Sequence, residues 1–192
     1  MNKYLINNFL KKNYKFINFV DLDLKQKKII YKNRNNNFIR QWMFDNSSLN
    51  LKKHLMFFDN LKKDSSKIFF LIKRNKKYVG VYSLVNIKNH EAQSGYYLFL
   101  NSIKKNLALE FLYSAIVYIF RNLKINKLYG YSVFQNKNAF ILNKALGFHQ
   151  KKVLKNNKLF YYSVINKIFW KKKIFNNKKI LNMINFTINN IN

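Results

Sequence analysis

The spacing of apolar residues switches repeatedly between a period of two and a period of three or four along the chain. The strongest helical pattern covers residues 107–123, whose apolar positions fall on one face. Alternating or continuous apolar runs of four to eight residues indicate strands. In chain order these patterns predict strand 14–20, helical segment 22–42, helix 51–61 after an Asn50 cap, strands 68–73, 77–87 and 92–100, helix 107–123, strand 127–134, helix 137–146 and strand 159–169.

The order of these elements predicts the fold class. It reads β-α-α-β-β-β-α-β-α-β-β, and a strand followed by a helix and another strand implies a crossover. We therefore expect an α/β (α+β) fold with a mixed sheet. Residues 74–76 are expected to form a hairpin turn. Gly147 follows the helix at 137–146, where a left-handed backbone conformation costs glycine little.

The composition excludes several kinds of chemistry. The chain has 192 residues, enough for one domain with a sizeable core, and it contains no cysteine. Disulfides, cysteine-bound zinc and a thiol nucleophile are therefore excluded. Three scattered histidines do not suggest a metal site, so none is expected.

The net charge of +30 raises the question of a nucleic-acid partner. The 37 basic residues are almost all lysines spread along the chain, whereas groove and phosphate recognition often uses arginine. Abundant Asn, Lys and Ile are also what an AT-rich genome encodes. Nucleic-acid binding is therefore possible but not favoured, although a positive surface attracts anions such as nucleotide phosphates.

Targeting and membrane signals are not evident. Lysines interrupt residues 1–20, and the longest apolar run, at 111–120, has about half the length that spans a bilayer. We expect a cytoplasmic protein with no membrane partner. The expected organisation is a basic extension at 1–13, a folded domain at 14–170 and a basic, Asn- and Lys-rich tail at 171–192.

One stretch combines the features of a phosphate-binding site. The predicted strand 92–100 is followed by Lys104, Lys105 and Asn106 and then by a helix start. Free backbone N–H groups and the helix dipole make such a start suitable for a phosphate. After the next strand the chain reads Asn136-Lys137-Asn138-Ala139, and then Ala145-Leu146-Gly147-Phe148.

These residues resemble the GNAT acetyltransferase superfamily, whose members carry Asn-x-x-Ala and later Gly-Phe at this spacing. The resemblance implies the GNAT fold, a twisted mixed sheet with helices on both faces, and acetyl-CoA as co-substrate. Backbone groups of strand 92–100 would pair with the pantetheine arm. By this resemblance the cofactor would contact Leu98, Phe99, Leu100, Lys104, Lys105, Asn106, Leu107, Ala108, Leu109 and Asn136.

The N-terminal half contains Arg34-Asn35, Trp42-Met43-Phe44, Leu51-Lys52-Lys53-His54-Leu55, Phe57 and Val79-Gly80-Val81-Tyr82-Ser83. These segments resemble the bacterial acetyltransferases of the pseudaminic-acid pathway. Those enzymes acetylate the amine of a UDP-linked amino-dideoxy sugar for flagellin glycosylation. The resemblance implies a substrate site made of Arg34, Trp42, Phe44, His54, Phe57 and Ser83. A diphosphate would suit Arg34, and the aromatic side chains would suit a stacking face.

The chain also departs from the superfamily. Leu107 and Ala108 stand where the family loop has glycines, and we expect Leu107 to obstruct the approach of a phosphate. Asn143 replaces the tyrosine often proposed to protonate the departing thiolate. The catalytic residue is therefore unknown, with His54, Ser83, Tyr131 and Asn143 as the candidates.

Other interpretations stay open. His54 could be a structural histidine, and Trp42 and Phe57 could belong to the core. The acceptor could be another amine, such as the N-terminus of a ribosomal protein. The domain could also have lost its activity and act as a basic RNA- or ribosome-associated protein, with residues 171–192 as a contact arm.

Overall fold

A computed structural model describes residue 10 and residues 13–190, with side chains up to residue 185. Within this part of the chain the strands are β1 (Tyr14–Asn18), β2 (Ile68–Arg74), β3 (Lys77–Lys88), β4 (Glu91–Leu98), β5 (Lys127–Val133), β6 (His149–Lys155) and β7 (Lys158–Asn166). The helices are α1 (Leu24–Arg34), α2 (Asn37–Arg40), α3 (Leu51–Leu61), α4 (Leu100–Lys104), α5 (Ala108–Asn122), α6 (Lys137–Ala145), α7 (Lys167–Lys173) and α8 (Lys178–Asn190). A 3₁₀ turn at Phe19–Asp21 follows β1.

The strands form one sheet in the order β1-β2-β3-β4-β5-β7-β6. Neighbouring strands are antiparallel except β4 and β5, which are parallel. Helix α5 makes the crossover between these two strands. The predicted mixed sheet is therefore confirmed.

Helices cover both faces of the sheet, as predicted. On one face, α5 buries ten of its fifteen residues, and eight of these belong to the larger core cluster, among them Phe111, Ile116 and Ile119. On the other face, side chains of α1 and α3 pack with Leu71 and Val81 of β2 and β3 in a second cluster. This second cluster lies over the β1–β4 half of the sheet.

Capping side chains explain where several helices begin and end. Asn50 accepts a hydrogen bond from the backbone of Lys53, which confirms the predicted start of α3. The pattern at 22–42 contains two helices rather than one, because Asn36 caps the second one through the backbone of Phe38. Gly147 has a φ of +80°, which confirms the left-handed turn after α6.

Three predicted strands end at least two residues earlier than expected. The strand predicted at 14–20 ends at Asn18, whose side chain caps the 3₁₀ turn at Phe19–Asp21. Leu100 begins the short helix α4 and is not the last residue of β4. Phe169 belongs to α7, because the Asn166 side chain accepts a hydrogen bond from the backbone of Phe169 and starts a helix there. The sequence of β6, His-Gln-Lys-Lys-Val-Leu-Lys, has few apolar residues, so its pattern does not define the bounds of this strand.

Most of the described residues beyond 170 lie in the helices α7 and α8. Buried side chains of this segment, such as Ile174, Leu181 and Ile184, belong to the larger core cluster. The division at residues 13 and 170 stays a prediction, and most of the extension at 1–13 lies outside the described residues. None of the described helices is long and apolar enough to cross a membrane.

A buried ion pair joins the sheet to the start of α5. The Arg74 Nε donates to Glu110 Oε1 over 2.8 Å, and the two side chains are 7% and 0% exposed. A buried pair of this kind stabilises little compared with an apolar pair, but removal of one partner leaves a buried charge unpaired.

We therefore expect Glu110→Ala to lower the free energy of unfolding by about 3 kcal/mol in urea titrations. The double variant Arg74→Met/Glu110→Leu should recover most of this loss, because no charge stays buried. Glu91→Ala, which breaks the exposed pair with Lys127, is the matched control and should have a much smaller effect. Equal losses for Glu110→Ala and Glu91→Ala would contradict this interpretation.

His54 lies between α1 and α3 and is only 6% exposed. Its Nε2 donates to the carbonyl of Lys27 over 3.1 Å, and its ring packs against Tyr31 and Phe58. Burial lowers the pKa of His54. These contacts favour a packing role over the predicted role in substrate binding.

The lowered pKa of His54 predicts a loss of stability in acid. The unfolded chain takes up a proton near pH 6.5, whereas the folded imidazole resists protonation, so unfolding becomes easier as the pH falls below about 6.5. His54→Gln should lose part of this dependence in urea titrations between about pH 7 and pH 5. His149→Gln, on the exposed end of β6, should retain it. An unchanged pH dependence in His54→Gln would contradict the prediction.

Candidate active site

Strands β4 and β5 separate shortly after they begin. Their parallel pairing runs from Glu91 to Gln93 on β4 and stops opposite Tyr129. The hydroxyl of Ser94 then donates to the Tyr129 carbonyl over 3.3 Å, in place of a backbone hydrogen bond. Beyond Ser94, β4 continues along β3 while β5 continues along β7, so an opening forms between them.

Backbone groups of β4 face this opening. The N–H of Phe99 donates to the carbonyl of Val79 over 2.9 Å. Because hydrogen-bonding directions alternate along an antiparallel pair, Tyr97 also faces β3, whereas Tyr96 and Leu98 face the opening. Of the predicted cofactor contacts on this strand, Leu98 therefore offers its backbone groups, but Phe99 has its N–H engaged by β3.

The start of α5 fits a phosphate better than the sequence suggested. The side chain of Leu107 is 3% exposed and lies in the core, so the predicted obstruction is wrong. Asn106 has a φ of +54° and makes the turn before the helix without glycine. No side chain caps the first N–H groups of α5, and exposed Lys104 and Lys105 precede them. The free N–H groups of Ala108 and Leu109 can bind an anion.

Helix α6 closes one side of the opening. Asn136 caps it by accepting a hydrogen bond from Ala139 N–H over 3.0 Å, which explains the Asn-x-x-Ala spacing. Asn143, in the last turn of α6, is 8% exposed. Its amide Oδ1 accepts a hydrogen bond from the hydroxyl of Tyr96 over 3.2 Å. Burial raises the pKa of Tyr96, so this hydroxyl stays protonated.

On the opposite face of the sheet, two residues at the end of α1 hold the loop at 41–50. They are Arg34, the last residue of the helix, and Asn35, its C-cap. The Asn35 amide exchanges two hydrogen bonds with the backbone of Leu49, at 2.7 and 3.1 Å. The Arg34 Nη2 donates to the carbonyl of Asp45 over 2.6 Å, and its Nη1 is buried without a protein partner. Burial lowers the pKa of Arg34. An unpartnered guanidinium N–H here can donate to a bound anion.

The β5–β7–β6 part of the sheet carries aromatic and basic side chains on this same face. We call this surface the open face and define it by Tyr131, Tyr162, Phe160, Lys151 and Lys155. These residues share one side because Tyr131 pairs with Tyr162, Tyr162 pairs with Lys151, and side chains alternate along each strand. It begins beside the opening and extends to the edge strand β6.

The lysines of the open face lie over its rings. The Nζ of Lys151 is 5.7 Å from the centre of the Tyr162 ring, and the Nζ of Lys155 is 5.0 Å from that of Tyr131. Phe44, from the loop at 41–50, stacks on Phe160 with ring centres 4.8 Å apart. Phe160 is covered by Phe44, but the partly exposed rings of Tyr131 and Tyr162 combine stacking area with positive charge, which suits an anionic ligand with an aromatic base.

The predicted substrate residues do not form one cluster. Phe44 and Trp42 are partly exposed in the loop that covers the open face. Ser83 donates to the carbonyl of Gly95 over 3.2 Å, beside the opening. Phe57 packs against Phe58 and Phe69 in the second cluster, and His54 packs against Phe58. Sequence reasoning did not identify the partners of Asn143 or the lysines of β6, because cross-strand pairing alone brings them to the site.

The described residues include no group of three or more His, Asp or Glu side chains able to hold a metal ion.

Comparison with known proteins identifies the family of this chain. An acetyltransferase (GNAT) domain model matches residues 23–149. The acetyltransferase PseH of Campylobacter jejuni subsp. jejuni serotype O:23/36 (strain 81-176) is 33% identical over 128 residues, which are 67% of this chain and 80% of that protein.

Solved structures match the fold. The crystal structure of Campylobacter jejuni N-acetyltransferase PseH in complex with acetyl coenzyme A has a TM-score of 0.64 and 27% identity, over 80% of this chain and 99% of that one. The spermidine N-acetyltransferase of Vibrio cholerae, in complex with CoA and spermine, has a TM-score of 0.74 over 83% of this chain and 99% of that one. Its identity is 16%, so this second likeness concerns the fold alone.

Similarity to a known acetyltransferase over two thirds of the chain thus accompanies the features of the site. These features are the open strand pair, the uncapped start of α5 and the Asn136 cap. The chain belongs to the acetyltransferase (GNAT) domain family and is an acetyl-CoA-dependent N-acetyltransferase.

Proposed function

We propose that the acceptor of this enzyme is the amine of a UDP-linked amino-dideoxy sugar, as in the pseudaminic-acid pathway that supplies flagellin glycosylation. The observation that carries the proposal is the open face, where lysines and aromatic rings adjoin the gap between β4 and β5. A nucleotide sugar has an aromatic base, an anionic diphosphate and an apolar deoxy-sugar. The open face has a suitable partner for each of these parts.

Acetyl-CoA, when bound, supplies the activated acetyl group as a thioester. The residues of this chain that fit it are the backbone groups of Tyr96 and Leu98, which face the opening, and the start of α5. The backbone N–H groups of β4 would polarise the thioester carbonyl. Lys104, Lys105 and the first N–H groups of α5 would hold the pyrophosphate.

The charge of the site argues against a polyamine acceptor. A polyamine carries several positive charges and needs carboxylates to bind it, but the chain has seven acidic residues against 37 basic ones. Glu110 and Glu91 are already paired with Arg74 and Lys127. Repulsion from Lys151 and Lys155 would further weaken the binding of a cation. An anionic acceptor is attracted by the same charges.

The direct test is an acetyl-transfer assay with the purified chain, acetyl-CoA and UDP-4-amino-4,6-dideoxy-N-acetyl-β-L-altrosamine. We expect an acetylated sugar nucleotide, detected by mass spectrometry, and release of CoA thiol. Spermidine and a peptide with a free N-terminus serve as competing acceptors. Faster transfer to the peptide would favour the alternative of a protein N-terminus.

A chain that does not transfer acetyl to any of these acceptors would contradict the proposal. Binding of RNA with an affinity that falls steeply with salt, in a chain that does not bind acetyl-CoA, would support the nucleic-acid alternative.

The first site prediction concerns the cofactor. Lys104→Gln/Lys105→Gln should weaken acetyl-CoA binding roughly 10-fold in calorimetry, because each lysine contributes a charge near the pyrophosphate. Lys62→Gln/Lys63→Gln, an exposed pair after α3, is the control and should leave the affinity unchanged. The same affinity in all three proteins would remove these lysines from the binding site.

The second site prediction concerns the acceptor. Lys151→Gln or Lys155→Gln should raise the KM for the sugar nucleotide roughly 10-fold with little change in kcat, since a charge-assisted hydrogen bond contributes about 1.5 kcal/mol. Lys152→Gln is the matched control, because it lies on the same strand but points to the opposite face. An effect of Lys152→Gln equal to the others would argue against specific binding on the open face.

A further inference from the structure

A chain of hydrogen bonds runs beneath the opening between β4 and β5. The Tyr96 hydroxyl donates to Asn143 Oδ1 over 3.2 Å, and Asn143 Nδ2 donates to Ser163 Oγ over 3.5 Å. Ser163 Oγ donates to Gln150 Oε1 over 2.9 Å, and Gln150 Nε2 donates to the carbonyl of Phe140 over 2.9 Å. The chain thus connects β4, α6, β7 and β6.

The direction of this chain is fixed at its far end. The carbonyl of Phe140 can only accept, so Gln150 must present its NH₂ group there and its Oε1 to Ser163. Ser163 then uses its single hydrogen on Gln150 and must accept from Asn143. The Asn143 amide is therefore oriented with Nδ2 towards Ser163 and Oδ1 towards Tyr96.

One hydrogen of the chain is left without an assignment. Tyr96 has a single hydroxyl hydrogen, which it gives to Asn143, whereas the Asn143 Nδ2 carries two hydrogens and gives one to Ser163. The other N–H is the spare donor of this chain.

The Asn143 side chain lies next to the opening. Asn143 reaches from Tyr96 on β4 to Ser163 on β7, and β5 runs between those two strands. The β5 residue paired with Ser163 is Gly130, which has no side chain to fill the space under the amide. A Cβ added to Gly130 would come within 2.7 Å of the Ser94 carbonyl, so this position stays without a side chain.

We propose that the Asn143 amide N–H donates a hydrogen bond to the sulfur of CoA as the acetyl group leaves, and that Tyr96, Ser163 and Gln150 are positioning residues that orient this amide. The inference rests on the proposed binding of acetyl-CoA in the opening. The backbone N–H groups of Tyr96 and Leu98 are the donors for the thioester carbonyl. The sulfur is bonded to that carbonyl carbon, and the proposal places it beside the Asn143 amide that the Tyr96 hydroxyl holds.

The chemistry balances without a change in Asn143. The amine nitrogen bonds to the acetyl carbon, the carbon–sulfur bond breaks, and its electron pair goes to the sulfur. The amine loses a proton to water, and the sulfur gains one from water. Asn143 stays neutral throughout and stabilises negative charge on the sulfur through a buried, preoriented N–H group.

The test is the pKa of the thiol of bound CoA, measured from the ultraviolet absorbance of the thiolate, which requires no acceptor. We expect the thiol pKa to be higher in Asn143→Ala than in the wild-type protein. At a fixed pH, the thiolate-to-thiol ratio of bound CoA should be at least threefold lower in the variant. Asn143→Tyr supplies a hydroxyl donor and should keep the lower value. Tyr96→Phe should raise the pKa by a smaller amount, because the amide loses one anchor.

Tyr82→Phe is the matched control and should leave the thiol pKa of bound CoA at its wild-type value. Tyr82 stacks on Tyr96 with ring centres 6.3 Å apart but is not a member of the hydrogen-bond chain. With the sugar nucleotide as acceptor, Asn143→Ala should lower kcat roughly 10-fold or more at an unchanged KM for acetyl-CoA, because a donor to developing charge is lost.

CoA binding with the same thiol pKa in the wild-type protein and in Asn143→Ala and Tyr96→Phe would overturn this inference and leave the proposed function intact. A shifted thiol pKa in a protein that does not acetylate the sugar would support the inference and overturn the proposed acceptor. A protein that does not bind CoA would overturn both.

Discussion

The separation of β4 from β5 is the constraint on which the account of the site depends. A β-strand inside a sheet normally satisfies backbone groups on both sides, yet β4 pairs with β5 at Glu91–Gln93 alone. The backbone groups of Tyr96 and Leu98 therefore face an opening instead of a neighbouring strand. An extended molecule with amide groups, such as a pantetheine arm, can satisfy them in the manner of an added strand.

The surrounding elements are arranged around this opening. Helix α5 crosses from β4 to β5 and directs its uncapped N-terminus to the same region, while the buried Arg74–Glu110 pair ties that helix to β2. Asn143 bridges the gap from α6. On the other face, the loop at 41–50 and the open face lie where an acceptor can approach. Cofactor and acceptor would thus reach the opening from opposite faces of one sheet.

The sequence predicted the framework better than the site. Helix spacing, the Asn50 cap and Gly147 mark local structure, so α3, α5 and the turn after α6 could be located in advance. The polar chain from Tyr96 to Gln150 joins residues 54 positions apart and has no local signal. The sequence does not distinguish Lys151 from the other lysines of the chain. Only its register opposite Tyr162 places its side chain on the open face.

The effect of Leu107 could not be judged from the sequence either. A leucine at a family glycine position suggests obstruction, but Asn106 takes the left-handed conformation and turns Leu107 into the core. His54 is the reverse case, because a histidine matching a family position is held by the Lys27 carbonyl between two helices. Identity at an aligned position therefore did not decide where a side chain points.

A crystal structure of the chain with CoA tests the central claim most directly. We expect the pantetheine arm between β4 and β5, with hydrogen bonds to the backbone of Tyr96 and Leu98 and the pyrophosphate at the start of α5. Continuous pairing of β4 with β5 up to Leu98, or CoA bound elsewhere on the molecule, would contradict it.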